Sequence, residues 1–157
     1  MHTLESVDSL SHRMKESFKF FKALSDEEID TFLRFCETRS AEVGEILWKE
    51  GDSDNYAVFV VSGKLGIKKK TEFKGKYMIV GTFAKGTVVG ELCLLTDHAR
   101  SVTCEVLESV EIVNLTSSSF ECLITERPML GLKLLRHIFL VISRRLSRST
   151  DRIAKIF

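Results

Sequence analysis

Long apolar runs are missing from this chain. No stretch of its 157 residues reaches the ~18 consecutive apolar positions that a membrane-spanning helix needs, so membrane insertion is not expected. The amino-terminal sequence MHTLESVDSLSHRMKE lacks the basic start and apolar run of a signal peptide, so export is not expected either. Net charge is nearly absent: 23 Lys and Arg against 22 Asp and Glu give +1, which leaves no global electrostatic case for nucleic acid or an acidic substrate. There is no Cys-x-x-Cys pair. The four cysteines, Cys36, Cys93, Cys104 and Cys122, are widely spaced in apolar surroundings and read as buried thiols of a reducing, cytoplasmic compartment, with no zinc site. Histidine is scarce as well. His2, His12, His98 and His137 are far apart, with no His-x-His pair, so a metal-dependent cupin-type enzyme has no ligand set here. No nucleophile motif is present, and the chain is not expected to be an enzyme. There is no internal repeat or low-complexity tract, and 157 residues suit one domain with flanking elements.

What is present falls into three segments: amino-terminal helices over 1–37, a β body over 38–117, and carboxy-terminal helices over 118–157. Leu4, Val7, Leu10, Met14, Phe18 and Phe21 recur at three- and four-residue steps, an amphipathic helical stripe. In LSDEEIDTFLRFC, Ser25 is an N-cap, Glu28 completes a capping box, and Leu24 with Ile29 form a hydrophobic staple; Ile29, Phe32, Leu33 and Cys36 make the buried face. From Thr38 to Thr116, short stretches rich in Val, Ile and Phe alternate with glycine-bearing turns. ILWKE, YAVFVV, KLGIKK, KYMIVGTF, SVTCEVL and VEIVNLT read as antiparallel strands, with a hairpin turn at Lys74-Gly75. Lys68, Lys69 and Lys70 read as a solvated strand edge that discourages edge-to-edge pairing. Beyond the strands, Ser118 and Glu121 are spaced as a second capping box, and the single proline, Pro128, suits the first turn of a further helix. That helix carries an apolar stripe of Leu132, Leu135, Ile138, Phe139, Ile142 and Leu146 over some five turns, with Gly131 as a hinge near its start. The expected class is α+β: an antiparallel β jelly-roll barrel flanked by amino-terminal and carboxy-terminal helices.

One stretch asks for more than packing. In VVGELCLLTDHARSVTCE, the apolar run Leu92-Cys93-Leu94-Leu95 is bracketed by Glu91 and Arg100, two residues that are costly to bury. GELCLLTDHARSVT resembles the phosphate-binding cassette of the cyclic nucleotide-binding domain family, the sensor domain of catabolite activator protein and of protein kinase A regulatory subunits. Gly90, Glu91, Leu92, Leu94 and Leu95 match its first half, and Arg100, Ser101 and Thr103 its second. GEILWKEGD, YAVFVVSGKLGI and FAKGTVVGE are similar to other ordered motifs of the family, so the resemblance covers roughly Phe20 to Arg145. Val89, Cys93, Ala99 and Val102 depart from the family's usual residues, but both charged anchors are kept.

The resemblance implies a regulatory module that binds cAMP or cGMP, needs no cofactor or metal, and relays binding through movement of its carboxy-terminal helices. The cassette spans 89–103. Its ligand-binding set is Gly90, Glu91, Leu92, Cys93, Arg100, Ser101 and Val102, with Leu92, Leu94 and Leu95 pinning the turn to the β body. Arg100 suits phosphate oxygens because its guanidinium offers a forked pair of charge-assisted donors. Glu91, acceptor-only when ionised, suits the ribose 2′-hydroxyl. Ser101 could meet either phosphate or a guanine amino group, so it does not separate the two nucleotides. Arg136, Val141 and Arg144 are the candidates for capping the base, and His98 reads as an exposed loop residue. The alternative is a degenerate member that keeps the fold as a protein-interaction module, or as part of a transcription regulator without ligand. Bacterial relatives of the activator protein carry a helix-turn-helix after the long helix; here the basic tail SRRLSRSTDRIAKIF reads as a solvated helix face. Sequence-specific DNA binding is therefore not expected, a homodimer through the carboxy-terminal helix is, and the effector protein is unknown.

Overall fold

The computed structural model describes residues 3–156, with side chains described from Leu10 onward. His2, and the side chains of Leu4 and Val7 in the expected stripe, lie outside the described residues. The chain runs α1 (Thr3–Ser17), α2 (Lys19–Lys22), α3 (Asp26–Arg34), β1 (Glu37–Ala41), β2 (Ile46–Trp48), β3 (Tyr56–Lys70), β4 (Tyr77–Ala84), β5 (Val88–Val89), a 3₁₀ turn (Glu91–Leu94), β6 (Thr103–Thr116), α4 (Ser117–Glu126) and α5 (Pro128–Ile156). α3 starts as its sequence dictates. The Ser25 hydroxyl accepts from the Glu28 amide at 3.1 Å, and the Glu28 carboxylate accepts from the Ser25 amide at 3.1 Å.

The strands form an antiparallel sheet in the order β1-β6-β3-β4, with β2 on β6 and β5 on β3. This is the expected α+β class, with the rolled sheet left open rather than closed by hydrogen bonds. β3 is its axis. Successive side chains of a strand point to opposite faces, and both faces of β3 are covered, which is why Ala57 to Val61 read as an unbroken apolar run. Ala57, Phe59 and Val61 face the helices, while Val58 and Val60 face the interior of the roll with Trp48, Leu65, Cys104 and Ile112. On the helix side, Phe59 meets Phe18, Phe21 and Phe32 at centroid distances of 5.9, 6.0 and 5.2 Å. Each buried phenylalanine contributes roughly 1.5–3 kcal/mol, so this cluster is what holds the helices on the sheet. Arg13 adds a two-pronged ion pair from α1 to Glu111 on β6.

Several sequence expectations change here. YAVFVV and KLGIKK are one strand bent at Ser62-Gly63, and SVTCEVL and VEIVNLT merge into β6. β3 is interior as far as Lys68, which pairs with both β6 and β4; Lys69 and Lys70 pair with β4 alone, and β4 is the edge strand on that side. Thr116, not Ser118, caps α4, its hydroxyl accepting from the Ser119 amide at 3.1 Å. Cys122 is exposed, because the α4 face that packs is that of Phe120 and Leu123. α5 runs 29 residues, about eight turns rather than five, and its inward face is Leu130, Leu134 and Ile138. Of the expected stripe, Leu132, Phe139 and Leu146 are exposed. Gly131 is buried where α4 and α5 touch, and a methyl group there would lie 2.9 Å from Ile124 Cγ1, so close packing accounts for it without a hinge. His137 stacks on Phe20 at 4.8 Å, and burial, with Arg144 nearby, holds its imidazole below the ordinary range.

Candidate functional site

The cassette begins where β5 ends. Gly90 takes φ = 74°, a left-handed conformation that turns the chain into the 3₁₀ turn. It also lacks a side chain for a second reason: a methyl group would lie 2.5 Å from Arg100 Nη1 and 3.2 Å from Trp48. In the turn, Cys93 and Leu94 point inward, and the Cys93 thiol donates to the Gly90 carbonyl at 2.9 Å. Leu92 and Leu95 are exposed, contrary to the expectation that they pin the turn. Four successive residues of one tight turn cannot all face the same wall.

Arg100 is 7% exposed. Its backbone is strapped to the Gly51-Asp52 turn: its amide donates to the Asp52 carbonyl at 2.8 Å, and its carbonyl accepts from the Gly51 amide at 2.7 Å. The GEILWKEGD motif is thus the support for Arg100. The guanidinium lies 3.8 Å over the Trp48 ring and 4.9 Å from the Tyr56 ring. Nη2 donates to the Tyr56 carbonyl at 2.7 Å, Nη1 makes a long contact of 3.5 Å to the Gly90 carbonyl, and Nε has no partner among the described residues. Among the described residues no carboxylate forms an ion pair with it. A buried cation held only by neutral groups is costly, and an anion would relieve it.

Glu91, 9% exposed, is partnered instead by Arg145 of α5, whose Nη1 donates to Oε1 at 2.8 Å. Arg145 also donates to the Val88 carbonyl and lies 4.7 Å over the Phe83 ring. Together these groups enclose a cavity of about 260 Å³. Every sequence-predicted ligand residue lines it: Gly90, Glu91, Leu92, Cys93, Arg100, Ser101 and Val102, as do His98 and Ala99. The structure brings in Trp48, Ile67, Phe83, Val89 and Arg145 besides. Arg136, Val141 and Arg144 do not line it; Arg136 borders a separate apolar groove of about 820 Å³ between α2, α5 and Leu95. Arg145 was legible in principle, since it follows buried Ile138 by seven residues and so shares its face, while Arg144 is turned outward. The thiols near the site are protonated. Burial pushes Cys104 up to about 12 and raises Cys93 as well, against the lowering effect of Arg100. Among the described residues no three His, Cys, Asp or Glu cluster to hold a metal ion, and no helix is long and apolar enough to cross a membrane.

At the end of the antiparallel roll, a left-handed glycine and a short turn thus set an acid and a buried arginine on one small cavity. The chain belongs to the cyclic nucleotide-binding domain family, whose model matches residues 38–127. Over 111 residues it is 26% identical to the cyclic AMP receptor protein of Thermus thermophilus, covering 71% of this chain and 51% of that protein. Over 108 residues it is 26% identical to the lysophospholipase NTE1 of Phaeosphaeria nodorum, covering 69% of this chain and 7% of that protein. The chain thus spans about half or less of these relatives. Its fold superposes on a cyclic nucleotide-binding domain from Methylobacillus flagellatus with a TM-score of 0.83 at 22% identity, covering 98% of this chain and 85% of that one.

Proposed function

We propose that the protein is a regulatory module that binds a 3′,5′-cyclic nucleotide, cAMP or cGMP, and reports it through α5. The observation that carries this is Arg100: a buried guanidinium that has no acidic partner among the described residues and lines a cavity whose other charged groups, Glu91 and Arg145, are paired with each other. The cyclic phosphate would take the free donors of Arg100 in a forked pair. Glu91 would accept from the ribose 2′-hydroxyl, and Trp48, Val89 and Phe83 offer apolar wall to the remainder. Calorimetric titration with cAMP, cGMP and a cyclic dinucleotide is the test. Absence of binding at millimolar concentrations of each would establish the degenerate reading, in which the fold serves protein contacts alone.

Arg145 supplies the relay. A ligand shifts a conformational equilibrium only through contacts that differ between states, and the Glu91–Arg145 pair is such a contact. Arg145 donates to Oε1 of Glu91, so a ribose hydroxyl can take the other carboxylate oxygen while ligand and Arg145 together hold α5 on the site. Saturating nucleotide is expected to change hydrogen exchange across Leu132 to Arg148, in the direction of protection as α5 settles on the occupied site. Replacing Arg100 by alanine should abolish that change at the same ligand concentration. A change confined to Gly90 to Thr103 would indicate a binding site without a switch.

The outward face of α5 supports self-association. Leu132, Phe139, Leu146 and Ile153 are exposed and repeat every seven residues. Leu135, Ile142, Ser149 and Ile156 follow each by three, the spacing of a two-stranded coiled coil, with Leu135 and Ile142 also packed against this chain's own core and Ser149 the one polar position. Sedimentation is expected to show a dimer that Phe139→Glu with Leu146→Glu converts to monomer. A wild-type monomer at high micromolar concentration would rule out the seam.

A further inference from the structure

We propose that the β3–β4 hairpin is a peripheral docking element for an anionic lipid surface, an interaction separate from the nucleotide site. The sequence KKKTEFKGKYMIV, residues 68–80, carries five lysines against one glutamate in a chain whose overall charge is only +1. Residues 72–80 are exposed without interruption, and they include Phe73, Tyr77, Met78, Ile79 and Val80. Phe73, at the tip, is 73% exposed and flanked by Lys74 and Lys76, with Lys76 Nζ 5.9 Å from its ring. Behind the tip, the register sets a lysine across from three of these residues: Lys70 opposite Tyr77, Lys69 opposite Met78, Lys68 opposite Ile79. Lys68 and Lys69 are neutralised by Glu105 and Glu50, whereas Lys70, Lys74 and Lys76 form no ion pair among the described residues.

Two features select a lipid surface over a protein groove. β4 is the edge of the sheet, and an edge alone invites a further strand. An added strand, however, would satisfy the edge and leave both faces of β4 as bare as before. Side chains alternate across a strand, so four consecutive exposed apolar residues mean that both faces are uncovered. A lipid interface surrounds the tip and covers both at once. Aromatic rings and lysine stems suit that boundary, the rings at headgroup level and the ammonium groups among anionic headgroups. The unpaired backbone of β4 keeps the insertion shallow, because its amides and carbonyls need water or headgroup partners.

The test is co-sedimentation of the full chain with phosphatidylcholine vesicles, with and without phosphatidylserine. Binding is expected only to the serine-containing vesicles and is expected to weaken with salt. Reversing Lys70, Lys74 and Lys76 to Glu should reduce it by about a hundredfold, on the scale of one anionic-surface interaction per lysine. Phe73→Ser should reduce it severalfold, and Phe73→Trp should blue-shift in emission on vesicles while the buried Trp48 does not. All four residues are exposed, so thermal unfolding of each variant should match the wild type; Lys→Gln replaces the charge reversal if it does not. Equal binding to phosphatidylcholine alone, or none to either vesicle, overturns the proposal. Indifference to Phe73→Ser with full displacement by polyglutamate or duplex DNA would make the hairpin a general polyanion patch, which also overturns it. A change of oligomeric state in the hairpin variants, with lipid binding unaltered, would assign the hairpin to a protein contact instead.

Discussion

Replacing Arg100 by alanine is expected to cost about 2–4 kcal/mol of cyclic nucleotide affinity, the scale for removing the charged partner of a desolvated anion. The same change should alter folding stability by no more than about 1 kcal/mol, because its losses and gains nearly cancel. The losses are the 2.7 Å bond to the Tyr56 carbonyl and the stacking on Trp48. The gain is relief of a guanidinium that is buried and, among the described residues, unpaired with any acid and unsatisfied at Nε. A residue that stabilised the fold would show the opposite pattern. Glu91→Gln should cost less affinity, since a neutral amide oxygen still accepts from a hydroxyl. Arg100→Lys should recover only part of the loss, because an ammonium keeps the charge without the fork. Titration calorimetry paired with urea unfolding separates the two quantities. Wild-type affinity in the alanine variant, or a loss of affinity that merely follows unfolding, would remove Arg100 from the site.

The parts of this architecture that were legible in the sequence were those encoded within a few residues of each other. The Ser25–Glu28 capping box and the Lys74-Gly75 turn depend on local geometry alone, and both stand as read. The cassette was legible through its resemblance to the motif of a known family, whose elements are close in sequence; Glu91 and Arg100 bracket one turn and line one cavity. What escaped depends on distant partners. That β3 is paired on both sides over most of its length, with β4 as the edge strand, follows from sheet order rather than from any property of KLGIKK. The phase of α5 was misjudged because its apolar residues lie on two faces, one packed on the core and one free, and periodicity alone does not rank them. Arg145 was missed for the same reason. Its partner Glu91 is 54 residues away, and only the docking of α5 brings the two together.

The largest effect on the fold is expected from a single methyl group at Gly63. The residue sits at φ = 85°, where an L side chain costs about 1–2 kcal/mol on backbone grounds alone. The space around it is worse still. A Cβ there would lie 2.1 Å from the Ser109 carbonyl oxygen, and 2.8 Å from both the Ser109 carbonyl carbon and Val110 Cα. All three are backbone atoms of β6, so no side-chain rotation relieves the contact. Relief requires β3 and β6 to separate at the point where their register already shifts between Val60 and Leu65. Gly63→Ala is therefore expected to cost more than about 3 kcal/mol, in the range reserved for strain and steric conflict that the core cannot absorb. The damage should reach the site as well. The half of β3 beyond the bend carries Ile67 to the cavity wall and Lys69 to the Ser101 carbonyl, at 2.7 Å. Urea unfolding measures the first effect, and nucleotide titration of the folded fraction measures the second. A stability loss below about 1.5 kcal/mol would mean that the two strands part easily at Gly63. The bend could not then be what aligns the far half of β3 with the cassette.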